Sequence, residues 1–314
     1  MSATVAANAF ERLCESRHRP IATAEFPSFD GGTLDDIRAA AERLAPWVDA
    51  INVTDNPAAH AHASNTAMAI ALTQLGYNPI LQVVCRDKNR LAIQSDIVGV
   101  SMFGVQNICA LTGDDVTAGD EPEARRVYDL DGPQLVKVAT IMGTGMYLSG
   151  RSMKAPPHLF VGAVENPTAP PLEHRAERAL KKVDAGARFL QLQIHYRPEQ
   201  LEAFMAACVA NGVAERAAIL PTVCLTKTAR ALGFMNEHVP GISVPQATID
   251  RVAGSEDPKE ESYRLVRELA EHALSLPGVA GLHITDFRHD DSVRRLTEDL
   301  AIGPRFEEQH AHSA

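Results

Sequence analysis

The chain has 314 residues, is 45% hydrophobic and 22% charged, and carries a formal net charge of −10. Its size suits one large α/β domain or two ordinary ones, and its acidic balance, with no Lys/Arg run, excludes a nucleic-acid footprint. Five scattered cysteines with no CxxC pair indicate neither a disulfide framework nor a zinc site, and the histidines of HAHASN (60–65) read as solvated loop residues, so no metal is expected. No apolar run of about 18 residues offers a membrane span. The first twenty residues lack the basic start and apolar stretch of an export signal, so a soluble cytoplasmic protein is expected.

In chain order, residues 1–19 read as a helical extension. Short β-branched or apolar runs then recur at 21–26 (IATAEF), 49–54 (DAINVT), 80–85 (ILQVVC) and 107–113 (NICALTG). Four more follow at 158–164 (HLFVGAV), 189–194 (FLQLQI), 217–223 (AAILPTV) and 281–286 (GLHITD). Segments such as TLDDIRAAAERLAPW, KNRLAIQSDIVGVSMFG and RPEQLEAFMAACVANG lie between them, with the three- and four-residue apolar spacing of helices. Most strand starts are 27–31 residues apart, room for one strand, one helix and two loops. Eight such units predict a single (β/α)8 TIM barrel over 20–303, because each crossover makes the next strand parallel. Extra helices are expected after the seventh strand, and 304–314 is expected to be a flexible tail. An open, doubly wound sheet in two domains is the alternative, but no linker or composition break divides the chain.

Catalytic groups of such barrels lie at the carboxyl ends of the strands. Here those ends carry Glu25, Thr54 with Asp55, Arg86 with Asp87, Asp114 with Asp115, Glu165 with Asn166, Gln191 with Gln193, Thr222, and Thr285 with Asp286. Glu25 follows an apolar run and is flanked by Phe26 and Pro27, surroundings that raise a carboxyl pKa toward that of a general acid. Asp114 has a plainer reading, as a cap for the next segment or a partner for Arg86. GTG (143–145) and DGG (30–32) match neither the dinucleotide fingerprint nor the P-loop.

Seven blocks in order, AINVTDNPAA, CRDKNRLAIQSD, NICALTGDD, YDLDGPQL, KKVDAGARFLQLQ, ILPTVCLTKTARALGFMNEHVPGI and GLHI, resemble the methylenetetrahydrofolate reductases over about 20–300. The likeness is to the short bacterial branch, which has the catalytic barrel alone. It implies a cytoplasmic flavoprotein of one-carbon metabolism and methionine biosynthesis. Such an enzyme interconverts 5,10-methylenetetrahydrofolate and 5-methyltetrahydrofolate with FAD and NADH or NADPH, and a homo-oligomer is compatible with it.

By the same resemblance, Glu25 is the general acid that opens the five-membered ring, and Asp114 is an anion beside the pterin and flavin. Gln193 and Arg288 contact the folate. Thr54, Asp55, Gln82, Thr112, Gly113, Asn166 and Lys182 surround the cofactor, Lys182 at the flavin phosphate. Glu25 and Asp114 are expected to converge on one cavity.

Departures from the family pattern fall on the flavin site. EFPSFDGG replaces the usual EFFPP-type start, Thr112 an arginine, Gln82 a histidine and VENPTAP a Tyr-Pro-x-x-His stretch, while Arg175 and Arg178 stand where an Asp and an Asn are usual. They leave open a differently held FAD, an FMN, or direct hydride transfer from a nicotinamide. A non-catalytic folate-binding barrel is a further alternative. An aldolase or lyase of a phosphorylated substrate lacks its glycine cradle after strands seven and eight.

Overall fold

The computed structural model describes residues 7–306, so most of the expected tail lies outside the described residues. Helix α1 (Ala9–Ser16) precedes β1 (Ile21–Glu25), α2 (Leu34–Leu44), β2 (Ala50–Val53), α3 (Asn65–Gln74), β3 (Pro79–Val84), α4 (Arg90–Ser101) and β4 (Asn107–Leu111). Next come α5 (Gly132–Gly143), β5 (Phe160–Glu165), α6 (Arg175–Ala185), β6 (Phe189–Ile194), α7 (Pro198–Ala210), α8 (Val213–Arg216) and β7 (Ala218–Leu225). An insertion of α9 (Ala229–His238), α10 (Gln246–Ala253) and α11 (Pro258–Ser275) leads to β8 (Gly281–Asp286) and α12 (Ser292–Leu300). The eight strands close in sequence order, every neighbouring pair parallel, into a (β/α)8 barrel.

Local chemistry sets the boundaries. The helices α2 and α5 each start on a reciprocal capping box, Thr33 with Asp36 and Asp131 with Gln134. Strand β4 stops at Leu111, short of the expected Gly113, whose φ of +90° lies outside strand geometry. A Cβ at Gly113 would come within 2.6 Å of Val84 Cγ1, so glycine also answers close packing against β3 there.

Alternation along each strand separates two cores. Outward residues such as Ile51, Leu81, Ile108, Val161, Leu190 and Ile284 pack under the helices. Inward residues Ile21, Ile80, Phe160 and Phe189 join Phe10 and Leu13 of α1, which closes the lower end of the barrel. The Phe10 ring meets Phe189 and Phe160 edge-on at 5.2 and 5.8 Å. An apolar plug therefore leaves the upper half of the barrel for polar groups.

Two loops build the upper rim. The segment after β4 crosses toward the turn Pro57–Ala59, so closely that a Cβ at Gly119 would strike the Ala59 carbonyl at 1.8 Å. Residues 239–245 fold back over the ends of β5 and β6, where Asn166 Nδ2 donates to the Gly241 carbonyl at 2.8 Å and Arg197 reaches Ser243 Oγ at 3.2 Å. No helix among the described residues is long and apolar enough to cross a membrane.

Candidate active site

Glu25 ends β1 with its side chain on the interior face, in register with Asn52 of β2. It borders a cavity of about 330 Å³ whose lining includes Phe26, Thr54, His62, Thr285 and Phe287. Burial pushes its carboxyl pKa up, opposed by a hydrogen bond with the Thr285 side chain. Among the described residues Glu25 makes no ion pair, so a proton held there is available for transfer.

Below Glu25 lies a polar floor that sequence reasoning largely missed. The Thr23 hydroxyl sits 2.8 Å from His283 Nδ1, Gln191 Nε2 lies 3.5 Å from the same nitrogen, and Cys109 Sγ donates to Gln191 Oε1 at 3.4 Å. Burial drives the His283 pKa down to about 3, so this imidazole is neutral at physiological pH. Asn52 is fully buried, and neither its amide nitrogen nor its oxygen has a partner among the described residues. The available signal was period two: His283 alternates with Thr285, and Thr23 with Glu25, so an inward residue at one strand end marks the inward residue below it.

Asp114 stands three residues past β4, at the same end of the barrel. The plain readings of it do not hold. Capping of the turn Val116–Ala118 falls to Asp115, which accepts from Thr117 N at 3.0 Å and pairs with Arg126 at 2.5 Å. Arg86 is occupied by Asp87, with two bonds of 2.7 Å, and touches only the backbone carbonyl of Asp114, as does the Tyr128 hydroxyl at 3.1 Å. The Asp114 carboxylate thus has no hydrogen-bond partner among the described residues. Burial raises its pKa, and the nearby Arg86 charge opposes the rise. Asp114 is not among the residues lining the cavity beside Glu25. Strands β2 and β3 separate the two acids around the wall.

The other expected ligands divide. Thr54, Gln82 and Gln193 are partly exposed, and Thr54 lines the Glu25 cavity. Gln193 Oε1 accepts from Ile194 N at 2.9 Å, beside the register shift between β6 and β7. Asp55 is buried and clamps β2 to β3, accepting from Val84 N at 3.1 Å and Lys88 Nζ at 3.2 Å. Thr112 Oγ1 accepts from Gly132 N at the start of α5 (3.3 Å), and Asn166 is held by Gly241 and Thr168. Arg288 is 3% exposed and donates to the carbonyls of Thr226 (2.9 Å) and Lys259 (3.1 Å), so its guanidinium is held in the protein and not offered to the mouth.

Lys182 is also displaced from its expected role. Residue Glu165 faces outward from β5, and Lys182 Nζ on α6 donates to its carboxylate and to the Val164 carbonyl at 2.5 Å each. Both side chains are under 10% exposed. Arg175 (3.5 Å) and Arg178 (4.0 Å) add positive charge around the same carboxylate. Glu165 therefore occupies the position that an anionic ligand of these cations would take.

A family model described as methylenetetrahydrofolate reductase matches residues 15–301. The chain belongs to the methylenetetrahydrofolate reductase family. No curated protein matches it. Among solved structures, a Clostridium thermocellum protein described as binding two copies of 5-methyl-5,6,7,8-tetrahydrofolic acid has a TM-score of 0.67 at 15% identity, over 93% of this chain and 99% of the other. An EDTA monooxygenase from Chelativorans sp. BNC1 has a TM-score of 0.54 at 10% identity, over 92% and 96%. At these identities the structural likeness is one of fold. Methylenetetrahydrofolate reductases generally use FAD and NAD(P)H. In this member the residue expected at the flavin phosphate does not fit one, because Lys182 is neutralised from within by Glu165; of the others, Thr112 accepts from Gly132 N and Asp55 ties two strands together.

Proposed function

We propose that this reductase-family barrel interconverts 5,10-methylenetetrahydrofolate and 5-methyltetrahydrofolate, with hydride supplied directly by a reduced nicotinamide. The observation that carries the reading is that Glu25 and Asp114, both at carboxyl ends of strands, have carboxyl groups with raised pKa values and form no ion pair among the described residues, although the Arg86 charge opposes the rise at Asp114. Glu25 protonates the bridging nitrogen, the five-membered ring opens, and a 5-iminium cation forms. Asp114, anionic, stabilises that cation, an interaction worth a few kcal/mol in a site of low dielectric. Hydride from the nicotinamide then adds to the methylene carbon, giving the 5-methyl product and the oxidised nucleotide. Asn52 and Gln193 supply amide donors and acceptors of the kind a pterin edge requires. The Clostridium thermocellum neighbour, which binds 5-methyltetrahydrofolate, supports folate as the ligand.

The test is an anaerobic assay of purified protein freed of flavin. Oxidation of NADH or NADPH coupled to formation of 5-methyltetrahydrofolate is expected without added FAD. Activity that appears only on adding flavin, with absorbance near 450 nm retained on the protein, would assign the hydride relay to a flavin held by other residues. A second readout is thermal: a flavin bound at 100 times its Kd would stabilise the protein by about 2.7 kcal/mol, and no such shift is expected.

Asp114→Asn is expected to reduce turnover about ten- to thirtyfold, because the amide retains the shape but loses the charge facing the iminium. Asp115→Asn, which touches only Thr117 and Arg126, is expected to leave turnover within about twofold. Steady-state rates of the two variants make the comparison; equal effects would assign Asp114 to the loop and not to the substrate.

A further inference from the structure

We propose that the loop after β1, residues 27–33, roofs Glu25 and is held closed by the contact of Asp30 with His62, which keeps water from the 5-iminium cation. The inference rests on the folate reading above and gives a role to the glycine pair and the histidine loop, which the ring-opening chemistry does not use.

Pro27, Ser28 and His62 line the cavity that Glu25 borders, so the loops after β1 and β2 form part of its wall. The two loops are joined directly. His62 Nδ1 lies 2.6 Å from Asp30 Oδ1, Ala63 N donates to the Phe29 carbonyl at 2.8 Å, and Ser28 Oγ lies 3.5 Å from Thr54 Oγ1. A carboxylate only accepts, so the proton of the first bond sits on Nδ1. The Phe29 ring, 5.7 Å from that of Phe26, seats the loop on the barrel. One side of this junction is braced and the other hinged. On the braced side Asn56 Oδ1 accepts from His62 N at 3.2 Å, Arg86 donates to the Asn56 carbonyl at 3.1 Å, and Ala61 N donates to Asp120 of the loop after β4 at 3.3 Å. On the hinged side Gly31 and Gly32 have φ of +136° and +133°, and a Cβ at Gly31 would meet open space. The capping box of Thr33 with Asp36 fixes the start of α2, so a swing about the glycine pair moves the loop and not the helix.

The strength of the contact suits a latch. The side chain of Asp30 is 80% exposed and that of His62 22%, and so exposed a pair is weak. It biases the loop toward closure and still yields when substrate enters or product leaves. The cation is what needs the roof. Water reaching it would add its oxygen to the methylene carbon and lose a proton. The carbinol so formed would break its bond from carbon to N5, pass the hydroxyl proton to that nitrogen, and release formaldehyde and tetrahydrofolate. No hydride is then transferred, and the nucleotide stays reduced.

The test counts formaldehyde released per 5-methyltetrahydrofolate formed, with the enzyme-free rate subtracted, for wild type, Asp30→Ala, His62→Ala, Asp30→Asn and His60→Ala. Asp30→Ala and His62→Ala are each expected to raise this ratio about fivefold, the upper worth of an exposed pair. Asp30→Asn keeps an acceptor for Nδ1 and is expected to return most of the way to wild type. His60, whose ring is exposed and reaches only the Ala58 carbonyl, is the control, and His60→Ala is expected to match wild type. Hydrogen exchange at Ala63, whose amide donates to Phe29, is expected to quicken about fivefold in Asp30→Ala. Wild-type ratios in both contact variants, with or without faster exchange, would overturn the roof and leave the folate reading intact. A ratio raised as much by His60→Ala would assign the effect to general loosening of the loop and overturn the roof as well. A wild type that forms no 5-methyltetrahydrofolate, with or without added flavin, would end both readings.

Discussion

Glu25→Gln is expected to lower turnover at least about a hundredfold while folate binding stays within a few fold. Glutamine keeps the volume of the side chain and can still accept from Thr285, so the interior face of β1 is retained and only the transferable proton is lost. Since burial raises the Glu25 pKa, the acid form persists to higher pH than an ordinary glutamate would allow. The sign follows: in the direction of reduction the wild-type rate is full below that raised value and falls as pH climbs through it. The variant has no such limb. His283 cannot mimic the effect, because it is neutral well below the range of the assay. A pH series of kcat/KM on wild type and variant is the measurement, and a falling limb that survives in Glu25→Gln would assign the acid to another group.

Much of this arrangement was legible in the sequence because barrel strands advertise themselves twice, by apolar runs and by regular spacing. Strand β6 spans the expected residues, and β1 ends at the glutamate that was singled out. The closed order of the strands follows from crossover handedness and needs no residue-level information. Partners across the sheet were not legible. That Asp87 takes Arg86 from Asp114, or that Asp115 and not Asp114 caps the turn, depends on loop geometry set by contacts such as Gly119 against Ala59. Resemblance carried Lys182 to a phosphate and Arg288 to a substrate. It could not see that Glu165 faces α6 or that the Arg288 guanidinium lies beneath the loop after β7.

Glu165→Leu is expected to destabilise the fold by about 3–5 kcal/mol, the second large effect, because it leaves the Lys182 ammonium buried without its anion. The side chains of the pair are 2% and 7% exposed, so solvent cannot take over the neutralisation. Arg175 and Arg178 would add repulsion that the carboxylate now cancels. Burial already lowers the Lys182 pKa against the opposing Glu165 charge, and in the variant the lysine can escape only by losing its proton, which depresses its folded-state pKa further below the unfolded value of ~10.4. The native state then binds fewer protons than the unfolded one, and the deficit shrinks as pH rises toward that value. Urea unfolding at several pH values measures this, with the midpoint falling at constant slope. The double variant Glu165→Leu with Lys182→Met removes both charges and is expected to recover most of the loss, as apolar replacement of a buried pair usually does. If the single variant lost less than about 0.5 kcal/mol, the range of an exposed pair, Glu165 would not be the anion that holds Lys182. The lysine would then be available to an external phosphate, and a flavin could be held at this position.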